Sequence, residues 1–347
     1  MLAAYAAAIG GADPLANLAV GELPIPSPRS GWALVRVRAA SLNHHDIWTL
    51  RGVSSRPITP PQVLGCDAAG TVESYGADPP PDVPPVGSRV VVHSLVTCGE
   101  CTACRSGETS LCPRVGLFSE PPLSGTLAEY LEAPAANLLP LPDAVSFQDA
   151  ACLPTAYLTA YHGLFVRAGL QPGMSVLVQG ATGGVATAAI LLSRAAGVAA
   201  FATSREEGKR QFAVELGAAA AFAPEPGSAR AISAANGGRR VDAVVETVGE
   251  PTWDLSLRAV RPEGTVIVSG ATGGINPPAQ LNRIFWNRIT IAGSTMGPAG
   301  ELRRLVDLCA RGTLRPLIGS VHPLHEALAA FAEMLAGEQR GKIVVTI

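Results

Sequence analysis

The sequence predicts an α/β protein in which a β-rich part is joined to a doubly wound parallel sheet. Three observations carry that prediction. Before Pro142 the apolar residues recur with period two, as in Val35-Arg-Val-Arg38, the pattern of half-buried strands. From Ser175 onward, short apolar runs alternate with helical stretches. Near the start of the second regime lies a glycine turn, Gly180-Ala-Thr-Gly-Gly184, which joins the apolar run 176–178 to an Ala- and Leu-rich helical stretch, 185–196.

In chain order, residues 18–20, 32–37, 62–73 and 87–93 read as strands. Pro24, Pro26 and Pro28 punctuate one loop, and the Pro-rich 79–85 forms a stiff second one. Residues 147–160 are helical in pattern. Further strands are expected at 175–178, 199–203, 220–223, 243–246, 265–269 and 289–292. The tail, 299–347, carries two amphipathic helices and a last strand at 342–346, which should return to the β-rich part. The expected domains are therefore 1–150 with 297–347, and 151–296; the 347 residues suit two domains.

The glycine turn is the feature with the clearest chemistry. A strand, a glycine turn and a helix start bring backbone N–H groups and the positive end of a helix dipole to one point, which suits a pyrophosphate. Gly180, Thr182, Gly183, Gly184 and Val185 are the candidate contacts.

Composition excludes other classes. A net charge of −2 argues against an electrostatic grip on nucleic acid. No apolar run approaches the ~20 residues needed to span a bilayer, and no basic n-region marks a signal peptide. A cytoplasmic location is expected.

Four of the seven cysteines, Cys98, Cys101, Cys104 and Cys112, fall within one short segment, about 94–116. C-x2-C steps bring successive sulfurs to one centre, as a tetrahedral structural Zn²⁺ requires. Gly99 and Gly107 permit the tight turns. Four free thiols or an iron–sulfur centre are the alternatives.

These stretches, in this order, resemble the medium-chain dehydrogenase/reductase superfamily of zinc-containing alcohol dehydrogenases and quinone oxidoreductases. The resemblance rests on Ser41-Leu-Asn-His-His-Asp46, Val63-Leu-Gly-Cys-Asp67, the cysteine segment, the glycine turn, Glu246-Thr-Val-Gly249, Gly293-Ser-Thr-Met-Gly297 and Gly341-Lys-Ile-Val344. It implies a GroES-like catalytic domain, a Rossmann domain, hydride transfer with a nicotinamide cofactor, and one structural zinc. It further implies cofactor contacts from Thr159, Val248, Gly270, Ser294 and Met296, and a homodimer.

In zinc alcohol dehydrogenases a second, catalytic zinc is expected. The corresponding positions here read Asn43, Cys66 and Thr155, and of these only Cys66 is a good zinc ligand. One reading is a zinc-free site of the quinone oxidoreductase type. Another is a rearranged metal site built from Cys66, Asp67 and His44 or His45; a third is a binding protein that keeps the fold without activity. In the zinc-free reading Asn43 donates an amide N–H to a developing oxyanion. His45, placed where the family has a hydroxyl relay, transfers the proton. His44 should point away, and Asp46 should be structural.

The resemblance also addresses the choice of cofactor. The second strand of the expected Rossmann sheet ends in Ser204-Arg205, without the carboxylate that binds the ribose of NAD. Ser204, Arg205 and Lys209 favour the 2′-phosphate of NADPH. Ser204-x-x-Glu207 also reads as a capping box opening a helix.

Overall fold

The computed structural model describes all 347 residues. Its contacts divide the chain into two compact units, Met1–Ala156 with Gly297–Ile347, and Tyr157–Met296. The first unit runs past the expected break at 150. The chain leaves it inside a helical stretch that begins at Phe147–Ala151, capped by Ser146, and loosens into a π-helix over Leu153–Tyr157. Pro154 lies in that π turn and has no N–H to give the α-helical ladder.

The first unit is built around the strand Trp32–Ser41. It pairs antiparallel with Asp67–Tyr75 on one side and with Tyr130–Pro134 and Lys342–Thr346 on the other. It alternates over 35–38, where Val35 and Val37 are buried against Val72, Val90 and Leu131 while Arg36 and Arg38 face outward. The last strand does return to the β-rich unit, as expected from its length. A strand at Ile318–Pro323 escaped the sequence reading; it pairs parallel with Lys342–Thr346. Gly319, Pro323 and a half-exposed Val321 give it no alternating apolar face. Register decides which residues meet beyond the strand ends. Ser41 lies opposite Asp67 on one neighbour and opposite Val344 on the other. The residues just beyond, Asn43 and Lys342, therefore converge at the same end of the sheet.

The second unit carries a six-stranded, all-parallel sheet in the order Ala220–Phe222, Ala199–Thr203, Ser175–Val178, Val241–Glu246, Val260–Val268, Thr290–Gly293. This is the doubly wound order, and its direction of winding reverses beside Ser175–Val178, where such sheets bind ligands. The helix Gly184–Ala195 follows the glycine turn and buries Ala188, Ala189, Ile190 and Leu192. Thr290–Gly293 is an edge strand, and Phe285 and Trp286 next to it in the chain are 61% and 79% exposed. No helix is long and apolar enough to cross a membrane.

One glycine shows how tightly the first sheet closes. A Cβ at Gly70 would stand 2.1 Å from the carbonyl oxygen of Arg36 on the paired strand. Gly70→Ala should lower the unfolding free energy by about 1–3 kcal/mol or more, because overpacked backbone must move. Chemical denaturation of the purified variant checks this.

Candidate active site

At the end of the first sheet lies a closed polar cluster around Asp67, whose side chain is fully buried. Oδ1 accepts from Thr155 Oγ1 (2.6 Å) and Ser94 Oγ (3.0 Å). Oδ2 accepts from Asn43 Nδ2 (2.8 Å) and Lys342 Nζ (3.4 Å), and Ser41 Oγ (3.1 Å) shares its one hydrogen between Asp67 and the carbonyl of Ala151 (2.8 Å). The Lys342 ammonium also donates to Leu42 O and Asn43 Oδ1, each at 2.6 Å, so its three hydrogens are matched by three acceptors. A buried carboxylate persists only with this kind of compensation.

The three positions where zinc alcohol dehydrogenases hold their catalytic metal thus carry an amide, a thiol and a hydroxyl. Burial, and then the charges of Asp67 and Asp46, push the Cys66 thiol well above its usual range. It remains a neutral thiol 3.3 Å from Asn43 Nδ2 and 3.6 Å from Thr155 Oγ1. Asn43 requires a correction. Its N–H groups face Asp67 and Cys66 inside the cluster, so in this arrangement it offers none to a substrate oxyanion. The buried carboxylate has claimed the nearest donor.

His44 is exposed and points away, as expected. His45 is half-buried, with Nε2 3.2 Å from Glu120 Oε1 and Nδ1 buried without a partner. Glu120 is a contact the sequence reading missed; nothing local links two residues so far apart in the chain. Its carboxyl is held below the usual range, first by the bond to His45, then by Ser55. Asp46 is fully buried and accepts from the backbone N–H of Asn43 (2.8 Å) and Gly65 (2.9 Å), a structural role. Burial pushes its carboxyl up. Lys342 was also missed as a site residue. A lysine opening the apolar run Ile343-Val-Val345 was the available signal.

The thiols of Cys98, Cys101, Cys104 and Cys112 lie within 4.8 Å of one another, with Cys98 Sγ and Cys104 Sγ 3.9 Å apart. Tetrahedral zinc thiolates, with Zn–S near ~2.3 Å, need sulfurs about 3.8 Å apart. Backbone N–H groups already point at the sulfurs: Cys101 at Cys98, Cys104 at Cys101, and Cys98 and Arg114 at Cys112. The N–H of Glu100, then that of Cys101, brings the Cys98 thiol down to about 6, while desolvation and the neighbouring thiols push Cys101 up to about 11. The donors fit a closed Zn²⁺ site. Gly99 and Gly107 take positive φ at the turns.

In the second unit, Gly180 takes φ +112 and Gly183 caps the helix Gly184–Ala195 without a side chain covering its N-terminus. A Cβ at Gly183 would meet nothing within 4 Å, so the turn is open above the free N–H groups. Thr182 and Val185 flank it. Val248, Gly270, Ser294 and Met296 all follow the C-terminal ends of parallel strands. Ser294 Oγ is buried without a partner, and Thr159 is buried on the helix Leu158–Tyr161. These features fit a dinucleotide.

A buried relay that no motif announced fixes the turn. Gly180 N–H donates to Thr203 Oγ1 (3.2 Å), Thr203 to Gln179 (2.7 Å), Gln179 to Ser256 (2.9 Å) and Ser256 to Glu246 (2.6 Å).

The end of the second strand brings another correction. The expected capping box at Ser204 does not form. The helix Glu207–Leu216 starts later, with Glu206 at its N-cap, and Ser204 Oγ accepts from Glu206 N–H at 3.2 Å. Arg210, unnoticed in the sequence, holds this turn outside the helix by donating to the carbonyls of Ser204 (2.8 Å) and Arg205 (3.0 Å). The Arg205 side chain is exposed, whereas Lys209 is paired with Glu206 at 2.6 Å.

Lys342 is 3% exposed and its partner Asp67 fully buried. Lys342→Met should therefore lower stability by roughly 3–5 kcal/mol, because it leaves a buried carboxylate short of its cation. Lys342→Arg should recover part of that loss. Urea denaturation of both variants measures the difference.

Comparison with known proteins agrees with this geometry. Residues 29–143 match the alcohol dehydrogenase GroES-like domain, and residues 184–311 match the zinc-binding dehydrogenase family. The crotonyl-CoA carboxylase/reductase of Cereibacter sphaeroides is 28% identical, with 96% of this chain and 85% of that protein covered. The acryloyl-coenzyme A reductase of Metallosphaera sedula is 29% identical, covering 94% and 96%. A crystal structure of an NAD-dependent alcohol dehydrogenase superposes with a TM-score of 0.93 at 33% identity, covering all of both chains. A Cys₄ lobe, a GroES-like unit and a doubly wound sheet with its glycine turn thus stand together in one chain, which is an oxidoreductase of the medium-chain dehydrogenase/reductase superfamily.

Proposed function

We propose that this protein is an NADPH-dependent reductase that transfers hydride to an activated acceptor, without a catalytic zinc. The acceptor is a quinone or an α,β-unsaturated carbonyl compound. The observation that carries the reading is the closed cluster around Asp67. Where a catalytic zinc needs three good ligands, this chain has an amide and a hydroxyl both bonded to Asp67, and one thiol, Cys66. Without a Lewis acid, a simple carbonyl is a poor hydride acceptor. A conjugated one takes hydride at its β carbon and spreads the charge into an enolate, which then needs a proton. The crotonyl-CoA and acryloyl-CoA reductases among the relatives, by their names, support this acceptor class.

The bound dinucleotide supplies the hydride. The chain's own part is to hold it and to manage the proton. Gly183 and Gly184 present backbone N–H groups at the helix start, Gly180 makes the turn while its own N–H is held by Thr203, and Ser294 offers an unused hydroxyl. His45 is the proton-transfer candidate, its ring oriented by Glu120. The cysteine lobe would hold one Zn²⁺ away from this chemistry. The exposed edge Thr290–Gly293, near Phe285 and Trp286 in the chain, offers a second copy a place to pair, which fits a homodimer.

Purified protein should oxidise NADPH with enones, enals or quinones and leave unconjugated aldehydes untouched, and it should carry one zinc per chain. Two zincs per chain together with NAD-linked alcohol oxidation would overturn the reading. Cys98→Ser should lose the single zinc and destabilise its lobe.

The cofactor preference rests on Ser204 and Arg205. A charge-assisted hydrogen bond to a 2′-phosphate contributes about 1.5–3 kcal/mol, and about 1.4 kcal/mol is tenfold in affinity. Arg205→Ala should weaken NADPH binding by roughly ten- to a hundredfold and leave NADH nearly unchanged. Equal loss for both cofactors in a fluorescence titration would refute the role.

A further inference from the structure

The second unit carries a groove of about 730 Å³ that plays no part in the proposed reaction. It is lined by Arg230, Arg240, Arg258 and Arg283, with Gly227 and Ser233, and no carboxylate lines it. The helix Ser228–Ala235 begins at its lip, capped by Gly227 without a side-chain bond.

Three of the four guanidinium groups are held by neighbours. Arg258 Nε pairs with Asp254 at 2.6 Å, and Gln280 bridges Asp254 (2.9 Å) to Arg283 (3.1 Å). Arg240 reaches Asn287 at 3.5 Å. Asp254 is the one carboxylate bonded to the quartet, so a single negative charge stands against four positive ones. That surplus of three is concentrated on one wall of a chain whose net charge is −2. Like charges gathered this way repel one another, and their approach is stabilised by an anion between them. Guanidinium forks match phosphate oxygens in pairs, and the volume falls within the ~300–1,000 Å³ of small-molecule sites.

We propose that this groove binds a small molecule bearing two or more phosphate groups, at a site separate from the glycine turn. The proposal is independent of the reaction assigned above.

The test uses inorganic pyrophosphate as the probe, with citrate as a carboxylate control, titrated calorimetrically into full-length protein saturated with NADPH. Arg230→Ala combined with Arg240→Ala removes two charges and no salt bridge. Pyrophosphate should bind wild type with a submillimolar Kd, bind at least tenfold more weakly to the double variant, and outcompete citrate. The NADPH affinity and thermal midpoint of the double variant should match wild type, which separates loss of the groove from loss of fold. Absence of pyrophosphate binding, or equal binding to both proteins, overturns the proposal. So does a double variant that binds pyrophosphate normally but sediments as a smaller species, since the groove would then be a protein contact. Tighter binding of citrate than pyrophosphate overturns the assignment to phosphate.

Discussion

A carboxylate sealed from water must be met by donors on every side, and the first unit of this protein is arranged to meet that requirement at Asp67. Its five donors come from the strand Trp32–Ser41, the turn after it, the second residue beyond Arg89–Val92, the helical stretch after Ser146, and the start of the last strand. Desolvating the pair costs several kcal/mol unless the geometry is complete. Four stretches far apart in the chain, the first contributing both Ser41 and Asn43, are thereby fixed in one register. The return of the C-terminal strand meets the same requirement: Lys342 is the only cation bonded to Asp67.

The cluster also takes up the positions at which zinc alcohol dehydrogenases hold their catalytic metal. A metal centre needs ligands whose lone pairs are free. Here the Asn43 amide oxygen accepts from Lys342, the Thr155 hydroxyl donates to Asp67, and burial with two neighbouring carboxyl groups raises the Cys66 thiol. In the proposed zinc-free reading, these residues serve Asp67 in place of a Lewis acid. In that reading, electrophilic activation is left to the substrate's own conjugation.

The second unit applies the same rule with neutral partners. Glu246 is fully buried with no cation beside it, and is satisfied by the N–H groups of Val248 and Gly249 and by the hydroxyls of Thr252 and Ser256. Through Ser256, Gln179 and Thr203 this acceptor reaches the N–H of Gly180. The glycine turn gets its freedom from its own residues and its position from a carboxylate on another strand. A relay of this type tolerates little, since each buried group left unpaired costs about 1–3 kcal/mol.

The sequence by itself determined what depends on short-range geometry. Period-two alternation and short apolar runs placed many of the strands, the glycine turn placed the dinucleotide motif, and two C-x2-C steps with Cys112 close behind marked four thiols for one centre. Tertiary structure decided what depends on residues meeting across the chain. It turned Asn43 inward to Asp67, joined His45 to Glu120, used Arg210 to keep Ser204 out of a helix cap, and assembled four arginines around one groove. It also made a strand of Ile318–Pro323, whose composition carries no alternation, by pairing it with Lys342–Thr346. The physical reason is the same in each case. Local pattern reports on the backbone and on apolar burial, whereas the partner of a polar side chain is set by which donors and acceptors folding leaves beside it.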